Sequence, residues 1–168
     1  SGDVVHVNPL WFPEFPPELL AVLRDRARTL AIDAQGFLRR AGDDGTLALV
    51  DWDEKTRWLP LVDVLKVDTN EARVLTGLEG REAASALGAM GARQVLLTHA
   101  SGGGLWDGAD WSEFAFGPYA LESRTGRGDT FTAAYLVAAA RRMSGPDAVR
   151  FAAEITTRKL QYPGPFRG

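Results

Sequence analysis

Short apolar runs alternating with helical stretches constrain this chain more than any other feature of it. Runs near 30–33, 62–67 and 93–98 have the length and the Val, Ile and Leu content of buried strands. Helical spacing of apolar residues (Ala72, Leu75 and Leu78 at i, i+3, i+6) predicts helices near 69–76 and 80–90 between them. Strands joined by helices are crossover connections, so the pattern predicts a mainly parallel sheet with helices on both faces. A strand at 4–8 and a helix at 17–29 precede these elements, with Pro17 suited to the helix's first turn. An irregular polar stretch follows residue 33, and Gly42, Asp43, Asp44 and Gly45 in it read as a hairpin tip. Strand-like pieces at 104–107 and 111–116 make a β-meander edge, and helices at 129–143 and 146–160 come before the Pro- and Gly-rich residues 162–166.

Composition narrows the class. A chain of 168 residues with 45% hydrophobic content is enough for one core. A net charge of −3, without basic clusters interleaved with aromatics, argues against a nucleic-acid surface. The chain has no cysteine, which excludes disulfides, thiol catalysis and Cys-based zinc sites. No apolar run reaches membrane length and no leader pattern is visible, so a cytoplasmic location is the default expectation. His6 and His99 are not spaced as a metal pair; His6, in a strand, reads as structural. Neither a Gly-x-Ser-x-Gly elbow nor a Gly-Lys-Ser/Thr phosphate loop is present.

The chemistry concentrates at residues 124–131, Arg-Thr-Gly-Arg-Gly-Asp-Thr-Phe, which run into the Ala-rich helical stretch 132–143. Unpaired backbone N–H groups at a helix start carry the positive end of the helix dipole and attract phosphate. Gly126 and Gly128 let the backbone approach an anion closely, and Asp129 falls in the first turn, placed to take a proton from an attacking hydroxyl. Two plainer readings stand beside this one. Arg127-Gly128-Asp129 is also an adhesion tripeptide, though such a ligand belongs on a loop tip, and glycines before a helix can be a simple cap.

Residues Thr125-Gly126-Arg127-Gly128-Asp129-Thr130-Phe131 resemble the second signature of the PfkB-type, ribokinase-like sugar kinases, Asp-Thr-x-Gly-Ala-Gly-Asp-x-Phe. The resemblance implies Asp129 as catalytic base and the amides of Gly126, Arg127 and Gly128 as an anion hole. Ser123 stands where many members have an Asp that helps hold a monovalent cation. Arg127 replaces a small Ala, to contact phosphate or to point into solvent. Residues 65–77 resemble the family's Asn-x-x-Glu motif, with Asp68 in the Asn place and Glu71 matching, which implies a role for both in positioning Mg2+ and phosphates. The same pair has the spacing of a capping box. Thr98 and Gly103 match a Thr-x-Gly-x-x-Gly stretch that lines nucleotide phosphates, with Ala100 for its first Gly; a plain Gly-rich turn is the alternative. Asp33-Ala34-Gln35-Gly36, with Arg39 beyond, resembles the Asp-x-Gln-Gly-x-x-Arg stretch of some members; at a strand's carboxyl end Asp33 would point into the crevice to meet the substrate, or form with Arg39 a pair that only stabilises a loop.

These matches occur in the family's order. They imply a ribokinase-like, doubly wound α/β fold. Residues 1–168 would be its carboxyl-terminal, nucleotide-binding portion, and the chain reads as a fragment or truncated relative lacking the amino-terminal part and lid. The expected reaction is ATP- and Mg2+-dependent phosphorylation of a sugar, polyol or nucleoside hydroxyl. Nucleotide-binding residues would be Thr98, Gly103, Thr125, Gly126 and Gly128. A non-catalytic nucleotide-binding or regulatory module on the same fold is the alternative. The acceptor's identity and the oligomeric state, a homodimer included, are not specified by the sequence.

Overall fold

The structure, a computed structural model, describes residues 2–118 and 125–161. Ser123 and the 162–166 segment lie outside the described residues. One sheet contains β1 (Gly2–Val7), β2 (Ala27–Asp33), β5 (Val64–Asp68), β6 (Gln94–His99), β7 (Gly102–Trp106) and β8 (Trp111–Ala115), adjacent in that order. The first four strands are parallel, and β7 and β8 extend the sheet as an antiparallel meander. Helix α1 (Leu19–Arg24) links β1 to β2. A short helix α2 (Gln35–Leu38), the hairpin β3 (Arg39–Ala41) and β4 (Leu47–Leu49), and helix α3 (Lys55–Trp58) lie between β2 and β5. Helices α4 (Thr69–Thr76) and α5 (Gly80–Ala89) lead to β6, and α6 (Arg127–Ala140) and α7 (Gly145–Leu160) follow the meander.

Each step from β1 through β6 adds a strand on the same side of its predecessor. Parallel crossovers are right-handed, so every helix connecting these strands falls on one face of the sheet. Leu30, Ile32, Leu65, Val67, Val95 and Leu97 are buried there with Phe37, Trp52, Leu75, Ala84 and Leu87. The opposite face is covered only because α6 and α7 return across it. Ala31, Val64, Leu96 and Leu105 pack there with Phe131, Tyr135, Val149 and Ala152. Strands buried on both faces explain the near-continuous apolar runs of the sequence. The doubly wound arrangement is the one expected. Among the described residues, no helix is long and apolar enough to cross a membrane.

The first helix is shorter than its sequence pattern. It stops at Arg24, whose guanidinium donates to the carbonyls of Ala27 (2.7 Å), Arg28 (3.1 Å) and Leu61 (3.2 Å) and pairs with Asp63. Asp63 also accepts the Leu30 N–H at 2.8 Å. These bonds turn the chain out of the helix, and β2 begins at Ala27, already paired with Gly2. Pro17 precedes the helix, in a turn closed by the Leu20 N–H on its carbonyl. The hairpin tip is as expected: Gly45 has φ +80° and donates to Gly42, and Asp44 accepts from the Thr46 N–H and hydroxyl. Helix α6 starts two residues earlier than expected, so Asp129 is its third residue.

Helix α5 rests on the meander through Gly88. A Cβ there would lie 2.1 Å from Cη2 and Cζ3 of Trp106. Gly88→Ala should therefore destabilise the fold by about 1–3 kcal/mol, the usual cost of overpacking, despite alanine's better helix propensity. Thermal unfolding measures it; an unchanged or raised melting temperature would contradict this packing.

Candidate active site

Side chains alternate along a strand, so the face covered by α6 and α7 receives every second residue. Down β2, β5 and β6 that face carries Ala31, Val64 and Leu96, and then, one step nearer the carboxyl ends, Asp33, Lys66 and Thr98. A row of buried polar groups thus replaces the apolar pattern at the edge where open α/β sheets bind ligands. Lys66 is 6% exposed. Its ammonium lies 2.9 Å from Asp33 Oδ2 and 3.9 Å from Glu71 Oε2. Burial opposes its charge, but Asp33 and Glu71, with a further contribution from Asp68, raise its pKa above the ordinary lysine value.

Asp68 caps α4 in a complete capping box. Its Oδ1 accepts the Glu71 N–H at 2.8 Å, and Glu71 Oε2 accepts the Asp68 N–H at 2.8 Å. The capping alternative is therefore realised in full, and the same pair also faces Lys66. Glu71 Oε1 is buried without a hydrogen-bond partner among the described residues, 4.0 Å from Arg39 Nη2. Both oxygens of Asp33 are engaged: Oδ1 accepts the Gln35 N–H at 3.1 Å and Oδ2 pairs with Lys66. The Asp33–Arg39 loop pair is not formed, since Arg39 turns toward Glu71.

The anion turn stands over Lys66. Gly126 is the N-cap of α6 with φ +73°, in the left-handed region that glycine favours, and among the described residues no side chain caps the helix start. A Cβ on Gly128 would sit 3.4 Å from Lys66 Nζ, so the ammonium lies directly beneath the turn. Asp129, exposed in the first helical turn, accepts from Asn8 Nδ2 at 3.0 Å just beyond the end of β1. Asn8 Oδ1 in turn accepts from Gln35 Nε2 at 3.3 Å. One polar chain therefore runs Asp129–Asn8–Gln35–Asp33–Lys66–Glu71–Asp68 along the carboxyl edge.

Thr98 and Gly103 are paired across β6 and β7. Thr98 is buried and its hydroxyl lies 3.4 Å from the Val67 carbonyl. Gly103 is glycine for packing reasons: a Cβ would lie 2.1 Å from the Leu97 carbonyl and 2.7 Å from the Phe114 ring. The Arg127 guanidinium donates to the Ala100 carbonyl at 3.0 Å, tying the anion turn to the β6–β7 turn. Thr125 is exposed, and its carbonyl accepts from Lys159 Nζ.

Sequence reasoning missed Asn8, Gln35, Lys66 and Lys159 as parts of this edge, and it read His6 as structural. His6 lies in the same polar neighbourhood; burial lowers its pKa against the opposing pull of Asp33 and Asp129. Its Nε2 is buried without a hydrogen-bond partner among the described residues. One signal was available: Lys66 interrupts an apolar strand run, and a charge buried in a sheet needs a partner. Among the described residues, no group of three or more His, Asp or Glu side chains is placed to enclose a metal. The unbonded Glu71 Oε1 and the Asp68 carboxylate instead suit a Mg2+ that keeps its waters and arrives on phosphate.

Burial pushes the Glu71 carboxyl up to about 7; Lys66 opposes this, and Asp33 and Asp68 add to it. The nearer Asp33 takes most of the ammonium's attention. A folded pKa above the unfolded value means that the associated stability is complete below about pH 4.5 and is lost as pH rises through about 7. Glu71→Gln lacks this loss. Relative to wild type, it should gain on the order of 2–3 kcal/mol as pH rises from about 4.5 to 8, from the size of the shift. Denaturant titrations at both pH values test this, and a stability difference that does not change with pH would contradict it.

Comparison with known proteins places this edge in context. Residues 2–166 match the family described as pfkB family carbohydrate kinase. A pyrophosphate-dependent kinase in the ribokinase family, solved with a pyrophosphate analog and myo-inositol, is 44% identical, with a TM-score of 0.95 over 99% of this chain and 61% of its own. A pyrophosphate-dependent myo-inositol-1 kinase converted by mutation into a myo-inositol-3 kinase is also 44% identical, with a TM-score of 0.95 over 99% of this chain and 60% of its own. The present chain thus spans about three-fifths of the length of these relatives. Arabidopsis thaliana ribokinase complexed with ribose and ATP shares the fold at 22% identity and a TM-score of 0.76, over 98% of this chain and 51% of its own. Comparison with curated proteins gives no match. The chain belongs to the pfkB family of carbohydrate kinases.

Proposed function

We propose that this chain is the donor-handling portion of a kinase that moves a phosphoryl group from inorganic pyrophosphate to a hydroxyl of a cyclic polyol of the inositol type. The observation that carries the reading is 44% identity, across 99% of the chain, to a pyrophosphate-dependent kinase of this fold. The site's chemistry supports it. Pyrophosphate has no base or ribose to bury, so its affinity must come from phosphate contacts alone. A helix start that opens on glycine, with Lys66 fixed beneath it, supplies such contacts. A second reading keeps ATP as donor. It is favoured by a groove of about 580 Å³ between β8 and α7, where Phe114, Ala115, Gly117, Val149 and Ala153 could receive a base.

In either case the acceptor oxygen attacks the terminal phosphorus, the bridging P–O bond breaks, and the leaving group (phosphate from pyrophosphate, ADP from ATP) keeps the electron pair. Asp129 takes the acceptor's proton, with Asn8 fixing its carboxylate through Oδ1. The amides of Gly126, Arg127 and Gly128 bind the equatorial oxygens, where one good donor is worth roughly 10²–10³ in rate. Lys66 adds a fixed positive charge below them, held by Asp33 and Glu71. Asp33 acts through Lys66 and Gln35 in place of the direct acceptor contact suggested by sequence. Asp68 and Glu71 would hold Mg2+ through its waters, and the ion would neutralise phosphate charge. Thr98, Gly103 and Thr125 form the wall beside the donor phosphates.

A donor and acceptor panel on the full-length protein tests this reading. Turnover of myo-inositol should show a higher kcat/KM with pyrophosphate than with ATP, and Asp129→Asn should lower kcat by roughly 10²–10⁴-fold while leaving donor affinity nearly unchanged. A preference for ATP would move the conclusion to the second reading. Donor binding with no turnover on any sugar, polyol or nucleoside would make the chain part of a binding module, and full activity of Asp129→Asn would remove Asp129 from the mechanism.

A further inference from the structure

Lys159, in the last turn of α7, is 5% exposed. Helical spacing from Ala152 through Thr156 puts it on the buried face of its helix. Its ammonium does not pair with a carboxylate among the described residues; it donates to the backbone carbonyl of Thr125, 34 residues away. A Cβ on Gly126 would lie 3.9 Å from Lys159 Nζ. Two residues earlier in α7, Thr157 accepts the Gly117 N–H at 2.9 Å, so one helical turn grips the chain at both 117 and 125.

A buried ammonium whose bond among the described residues goes to a carbonyl is costly to keep there, and exposing so long a side chain would be simple. Its placement has a chemical consequence. The carbonyl that Lys159 holds belongs to the same peptide unit as the Gly126 N–H. Among the described residues the only cis peptide is Phe12–Pro13, so this unit is trans, and its C=O and N–H point in opposite directions. A charge-assisted bond to the oxygen fixes the peptide plane and polarises it, which makes the N–H on its far side a stronger donor. That N–H is the first amide of the anion turn.

We propose that Lys159 is a positioning residue for phosphoryl transfer, a tethered cation that orients and polarises the Thr125–Gly126 peptide so that Gly126 donates to the transferring phosphoryl group. The inference rests on the phosphoryl-transfer reading above. Lys159 exchanges no proton: the O–P bond forms, the bridging P–O bond breaks with its electrons going to the leaving phosphate, and Asp129 receives the acceptor's proton. The lysine acts throughout on the peptide and never on the substrate.

Kinetics of Lys159→Met and Lys159→Ala in the full-length protein test it. Lys159→Met keeps the volume and removes the charge. Its kcat should fall by roughly 10–100-fold, less than the 10²–10³ for losing an oxyanion donor outright, with the acceptor KM little changed. Lys159→Ala should be similarly slow but leave a cavity, so ammonium or methylammonium chloride should restore much of its rate. Neither salt should rescue Lys159→Met or Asp129→Asn, and tetramethylammonium at equal ionic strength should rescue nothing. Near wild-type kcat in Lys159→Met would overturn the proposal. So would a folded, slow Lys159→Ala that no small amine restores, since a merely structural lysine predicts that result. If Lys159→Ala does not fold, Lys159→Met alone decides. A wild-type protein with no transferase activity on the full panel would instead sink the underlying reading, and the proposal with it.

Discussion

The site depends on one buried ammonium. Lys66 occupies an inward strand position where apolar residues precede it, and it is held by Asp33 at 2.9 Å and Glu71 at 3.9 Å. Removing one partner of a buried ion pair typically costs about 3–5 kcal/mol, because the remaining charges lose compensation. Here two carboxylates, on β2 and at the start of α4, would be left facing each other. The pairing therefore locks the adjacent central strands β2 and β5 and the α4 start together, and it holds a positive charge beneath the Gly126–Gly128 turn. In the proposed mechanism, stability and chemistry share the same three side chains.

Topology explains how residues so far apart in sequence reach one edge. Because β1, β2, β5 and β6 are added in one direction by right-handed crossovers, all four carboxyl ends lie side by side. Asn8, Asp33, Asp68 and His99 end or follow those strands in turn. The helices that connect them cover only one face. The return of α6 and α7 over the other face brings Gly128 above Lys66 and Lys159 beneath the anion turn. A β-meander between these two halves provides the distance needed to make that return.

Much of this could be read from residues alone, and the limits are physical. The strand positions, the hairpin at Gly42–Gly45 and the helix opening near Asp129 follow from local patterns, and so does the Asp68–Glu71 capping box. Lys66 and Asn8 were not recognised because their partners are set by strand register and by loop positions that no local pattern encodes. The extent of α1 was misjudged for the same reason: Arg24 is turned by Leu61 and Asp63, residues of a distant segment. Asp33 lies at the edge as expected, and its partners there, Gln35 and Lys66, follow from strand register that its own motif does not encode. The ATP expectation came from motif resemblance, which describes phosphate handling and carries no information on what lies beyond the phosphates.

The central claim is that donor phosphate sits on the Gly126–Gly128 amides, above Lys66 and beside Asp129. A crystal structure of the full-length protein with methylenediphosphonate and the polyol acceptor tests it most directly. The account predicts one phosphonate group within hydrogen-bond reach of those amides and of Lys66 Nζ, with an acceptor hydroxyl on Asp129. A diphosphonate bound in the groove between β8 and α7, with the anion turn empty, would contradict it.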